Sequence, residues 1–74
     1  MIYTDTKCLF SDFRKVMKTE NVTINELSNR LGKSQPATSG LLRMNNISLN
    51  SLLELTNAIN YDLEINFIKR GEKE

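Results

Sequence analysis

Gln35 and Ser39 stand four residues apart, the separation that puts two side chains on one face of a helix. A carboxamide carries a donor and an acceptor side by side, which match N7 and N6 of adenine and also suit guanine. A serine hydroxyl one turn later donates or accepts. Beside them, Pro36 offers an apolar surface suited to a thymine methyl, and Gly40 lets a backbone come close. Gln35, Pro36, Ser39 and Gly40 therefore form a candidate base-reading set. Around them lie groups suited to phosphate oxygens: Thr23 ahead, Lys33 and Ser34 just before, Arg43, Asn45 and Asn46 just after. Such contacts position a protein on a duplex and dominate affinity without giving specificity.

Other chemistry is poorly provided for. The 74 residues contain no histidine and a single cysteine, Cys8. A Cys/His zinc site, an intrachain disulfide and a Ser-His or Cys-His nucleophile are all excluded. There is no phosphate-binding glycine loop, so neither an enzyme nor a cofactor is expected. Cys8 falls in an apolar helical pattern and reads as a buried thiol.

The charged residues are unevenly spread. Net charge is only +1, but residues 27–53 hold Arg30, Lys33 and Arg43 with no carboxylate, leaving the flanks at −2. A wholly basic middle is what a phosphate-facing surface needs. No apolar run approaches the ~20 residues of a membrane span, and the N-terminus lacks a signal-peptide pattern. A cytoplasmic protein is the expectation.

Four helices are needed to position these residues. Leu9, Phe10, Phe13, Val16 and Met17 repeat with helical spacing from about Thr6 to Thr19, with Asp5 or Thr6 as cap. Thr23 and Glu26 make a capping box for a second helix through Leu27 and Leu31, which Gly32 ends. Ser34 caps a third, with Pro36 in its first turn, running to about Arg43. Leu41 and Leu42 point partly inward from it, with Thr38 or Ala37 one turn earlier. After the Asn45-Asn46 turn, Ser48 caps a fourth helix whose stripe of Leu49, Leu52, Leu53, Leu55, Thr56 and Ile59 reads as core. Asn60 suits the left-handed closing position.

The period then changes to two. Tyr61, Leu63, Ile65 and Phe67 alternate with Asp62, Glu64 and Asn66, so residues 61–69 predict a strand. Met1-Ile2-Tyr3 covers only half its length, and the economical partner is the same strand of a second copy, burying Leu63, Ile65 and Phe67 across a two-fold axis. Arg70–Glu74 is expected to fray. The short spacing of the second and third helices, about residues 23–43, is that of a helix-turn-helix, one helix bracing while the next lies in the major groove.

Residues 27–43, L-S-N-R-L-G-K-S-Q-P-A-T-S-G-L-L-R, resemble the helix-turn-helix of the XRE family, which includes the lambdoid Cro and repressor proteins. The similarity extends over about residues 10–60. The stretch from Leu49 to Phe67 looks like the end of HipB-type antitoxins, where a C-terminal strand ties the dimer together. The resemblance implies a mostly α, four- to five-helix lambda-repressor-like DNA-binding domain over residues 1–74, with a C-terminal β-strand paired across a homodimer. It also implies a repressor bound to double-stranded DNA at a palindromic operator, and a cognate toxin as partner if the chain is an antitoxin. A stand-alone phage or mobile-element regulator is the alternative, and a protein-interaction module without DNA a third. Three positions depart from the family: Ile24 replaces a glutamine that contacts phosphate and the recognition helix, Thr38 replaces a branched aliphatic, and Met17 with Leu42 replace an arginine–glutamate bridge.

Overall fold

The computed structural model describes residues 1–71. Its architecture is mostly helical, with α1 (Thr6–Thr19), α2 (Ile24–Leu31), α3 (Gln35–Leu41) and α4 (Leu49–Ala58) in succession. Of the two candidate caps for α1, Asp5 serves: its carboxylate accepts from the Cys8 amide at 2.8 Å. Thr6 is instead buried, with its hydroxyl 3.1 Å from that of Tyr3. Beyond α1, Asn21 takes a left-handed φ of 57°. The Val22 amide can then return to Met17 O at 2.9 Å, which turns Val22 into the core.

Each later helix starts on a hydroxyl cap, namely Thr23, Ser34 and Ser48, whose oxygen accepts an amide three residues on. A cap of this kind contributes about 1 kcal/mol by satisfying an orphan amide. Gly32 closes α2 at φ 69°, a conformation that costs other L-residues roughly 1–2 kcal/mol. Asn60, at φ 64°, follows α4 in the same way, with the Tyr61 amide reaching back to Thr56 O at 3.0 Å. α3 is shorter than the sequence pattern predicts. It ends at Leu41, and the amides of Arg43 and Met44 bond only three residues back, to Gly40 and Leu41. That tightening leaves Arg43 outside the helix.

One apolar core gathers Phe10, Phe13 and Met17 from α1 with Val22, Leu27, Leu42, Leu55 and Ile59. α2 lies at its centre, packed against both α3 and α4. Besides Thr6, three hydroxyl side chains are buried alongside, and none reaches across to another helix. Ser28, Thr38 and Thr56 each donate to the carbonyl four residues earlier, at 2.7, 3.0 and 2.7 Å. Thr38 thus fills a branched aliphatic's space while its own helix satisfies its oxygen.

Two expectations from the pattern are corrected, and a third, the strand, is not shown. Leu49 and Leu53 are 62% and 43% exposed, so only part of the α4 stripe is core. The stripe is wider than the surface that α2 offers to cover it. Cys8 is exposed rather than buried, because α1 turns Phe10, Phe13 and Met17 inward. Residues 61–69 form no strand within the chain, and Met1, Ile2 and Tyr3 stand exposed instead of pairing with them. A strand needs a partner ladder, and a lone chain offers none here.

The segment after Asn60 is nevertheless oriented. Tyr61 donates its hydroxyl to the Glu20 carboxylate at 2.9 Å, which pushes the phenol's pKa above its usual value. Asn66 donates to Glu64 at 3.2 Å, a contact between residues two apart on one side of the chain. Leu63, Ile65 and Phe67 belong to the alternate positions, and Phe67 is 99% exposed. Of the tail expected to fray, Arg70 and Gly71 form a turn, and residues 72–74 lie outside the described residues. Among the described residues no helix is long and apolar enough to cross a membrane.

The Asp5 cap predicts a pH dependence. Bonds from backbone amides, chiefly that of Cys8, hold the Asp5 carboxyl below its ordinary 3.8. The cap's contribution is therefore complete above that ordinary value and is lost as pH falls through the lower folded one. Asp5→Asn keeps an oxygen cap without the charge. The Tm advantage of the native chain over this variant should shrink on acidification below pH 4; a constant difference would refute the assignment.

Candidate nucleic-acid interface

Leu27 and Ser28 from α2 and Thr38 from α3 are fully buried, and Gly32 holds the turn between the two helices. Lys33 sits exposed in that turn, its amide bonded to Ser28 O at 3.0 Å. With Thr38 and Leu42 inward, α3 must turn its other side outward. Gln35 and Pro36 are exposed at its first turn, and Ser39 and Gly40 are half-buried one turn on. The four candidate base-reading residues thus share one short helix. Ala37 is exposed, so the inward position one turn before Leu41 and Leu42 falls to Thr38.

The six candidate phosphate contacts divide into two groups. Lys33, Arg43, Asn45 and Asn46 are exposed at the two ends of α3. Thr23 and Ser34 are caps first. The Thr23 hydroxyl accepts from the Glu26 amide at 3.1 Å, while the Glu26 carboxylate accepts from the Thr23 amide at 3.3 Å. A carboxylate therefore already occupies the electropositive start of α2. The Ser34 oxygen accepts from the Ala37 amide at 3.2 Å. Arg30, counted in the basic middle of the sequence, donates to Ala58 O at 2.8 Å and caps the end of α4.

Asn25 was not legible as part of the site. Its Oδ1 accepts from Gln35 Nε2 at 3.0 Å, joining the start of α2 to the start of α3. The neighbouring Ile24 is half-buried against the core, so the polar contact from α2 to α3 comes from the next residue. Reading adenine uses the carboxamide oxygen and one amide hydrogen, which leaves the second hydrogen free for Asn25. The only signal in the sequence was a polar residue ten positions before Gln35.

Arg14 and Lys18 were also missed. They line a concavity of about 270 Å³ together with Met17, Val22, Ile24, Ser39 and Arg43. Arg14 Nη2 donates to Leu42 O at 3.3 Å, tying α1 to the end of α3. The charge count conceals them, since residues 1–26 hold four cations and four carboxylates that balance in sequence. Asp12 lies 4.0 Å from Lys15, and Glu20 holds Tyr61.

The candidate dimer residues follow α4 in the chain. Leu63 is half-buried, and Ile65 and Phe67 are exposed on the segment beyond α4. Comparison of the chain with family models, curated proteins and solved structures finds no match.

Gly40 separates fold from surface. A β-carbon built on it meets no atom within 4 Å, and its φ is not positive. Gly40→Ala should therefore raise stability, by up to about 1 kcal/mol, because alanine loses less backbone freedom in a helix. On a duplex, the added methyl should weaken binding by crowding the approach of α3. A variant that is more stable yet binds duplex unchanged would show that DNA does not approach at this position.

Proposed function

We propose that the chain is a sequence-specific, double-stranded DNA-binding transcriptional repressor that acts as a homodimer. The observation that carries this reading is the α2–Gly32–α3 unit, with Thr38 and Leu42 turned inward and Gln35, Pro36, Ser39 and Gly40 outward. α3 lies in the major groove, where Gln35 is held by Asn25 with an oxygen and a hydrogen left for a base edge. Ser39 reads one turn later, and Lys33, Arg43, Asn45 and Asn46 bond phosphates on either side. The resemblance of residues 27–43 to the XRE helix-turn-helix supports the same reading.

The dimer rests on a separate observation. Leu49 and Leu53 on α4 and Ile65 and Phe67 beyond it are all exposed. A second copy covers such surface, and pairing residues 61–69 antiparallel across a two-fold axis satisfies the backbone groups that a lone strand leaves open. Within this function, an autoregulating antitoxin of a toxin–antitoxin operon is favoured over a stand-alone phage or mobile-element regulator by the likeness of residues 49–67 to HipB-type antitoxins. The protein is then cytoplasmic, with operator DNA and a toxin as partners.

Selection of bound sites from a random duplex library tests the reading directly, and one inverted repeat with half-sites a helical turn apart is expected. On that operator, Gln35→Ala should cost ~1–3 kcal/mol at one base pair and relax preference there. Equal loss on random DNA would remove Gln35 from base reading, and failure to enrich any site would overturn sequence-specific binding. For the dimer, Ile65→Asp should give monomers in analytical sedimentation. A dimer that persists would put the interface elsewhere.

A further inference from the structure

We propose that the concavity between α1 and α3 is a sugar-phosphate site that holds one unit of the duplex backbone, with Arg14 and Lys18 as its principal cations. The inference rests on the DNA-binding reading above and adds a third element, α1, to a surface otherwise built from α2, α3 and the segment after α3. Three cations converge there from two separate parts of the chain: Arg14 and Lys18, four residues apart on one face of α1, and Arg43 just beyond α3. No carboxylate lines the space. The nearby acidic groups are engaged elsewhere, Asp12 of α1 beside Lys15 and Glu20, just beyond α1, with the Tyr61 hydroxyl.

The chemistry of the lining is specific about its ligand. Met17, Val22 and Ile24 make an apolar floor, while Arg14, Lys18, Arg43 and Ser39 supply donors. A bare anion uses only the second group. A deoxyribose-phosphate uses both, its sugar over the floor and its oxygens on the cations. Ser39 belongs at once to the outer face of α3 and to this lining. A backbone phosphate bound here therefore fixes how α3 sits relative to the bases. Arg14 is pre-set for the task, since one of its nitrogens already donates to Leu42 O at 3.3 Å and the remaining guanidinium donors stay available.

Affinity for the selected operator and for random duplex, measured over a series of salt concentrations, tests the site. Lys18→Ala leaves the Arg14–Leu42 bond in place, so folding is retained. It should make the slope of log K against log salt shallower by up to about 0.9, the value for one phosphate. The change should be the same on both duplexes. Arg14→Ala should act likewise, and circular dichroism checks its fold. Lys15→Ala removes the same charge from α1 outside the concavity, and its slope should match that of the native chain.

An unchanged slope in Lys18→Ala, or an equal change in Lys15→Ala, overturns the site while leaving DNA binding intact. Absence of duplex binding by the native chain overturns both proposals together. Inorganic phosphate at constant ionic strength distinguishes the other source of the ligand. Saturable shifts of the Ser39 and Arg43 amides with free phosphate, combined with an unchanged duplex slope in Lys18→Ala, would assign the concavity to a free anion instead of a backbone.

Discussion

The left-handed turn at Gly32 governs everything on the candidate face. Its φ of 69° reverses the chain within three residues, so α3 begins at Gln35 while still packed on α2. Leu27 and Ser28 from α2 and Thr38 from α3 are buried together as a result. Once Thr38 and Leu42 are fixed inward, the helical repeat leaves no freedom over what faces out. A β-carbon at Gly32 would meet no neighbouring atom. Glycine is favoured there by backbone geometry rather than by space.

Burying hydroxyls around this turn has a consequence for rigidity. Ser28, Thr38 and Thr56 each satisfy themselves on their own helix, and no buried polar side-chain atom is left unpaired among the described residues. The core therefore places no polar demand across helices. Long-range polar contacts occur at its margins: Arg14 to Leu42, Arg30 to Ala58, Gln35 to Asn25 and Tyr61 to Glu20. Each joins the start or end of a helix to another element. Apolar burial holds the helices together, and these marginal bonds set the orientation of their ends, where the candidate contacts lie.

Helix starts were readable from the sequence because capping is local: Thr23, Ser34 and Ser48 each bond an amide three residues on. The left-handed closures at Gly32 and Asn60 were readable for the same reason. Periodicity was a weaker guide to burial. It located the apolar stripe of α4 correctly but could not say how much of it a neighbouring helix covers. Leu52 and Leu55 meet the rest of the fold, while Leu49 and Leu53 face out. The same limit applies to residues 61–69. Alternation marks two faces, and a strand exists only where something pairs with it.

Charge was the least legible property, since its effect depends on distance and not on order along the chain. Counting along the sequence placed the basic character in residues 27–53. Arg30 of that segment is spent on the end of α4, and Arg14 and Lys18, from a segment that looks balanced, stand beside Arg43. The net charge of +1 therefore says little about the field on any one face. Oppositely charged groups cancel only where they are close, within the ~10 Å over which salt leaves them in contact. Asp12 and Lys15 do so, and Lys18 has no such carboxylate in the concavity it lines. A nearly neutral chain can in this way present a cationic face, because the carboxylates of its first 26 residues are held in two helix caps, a tyrosine contact and a surface ion pair.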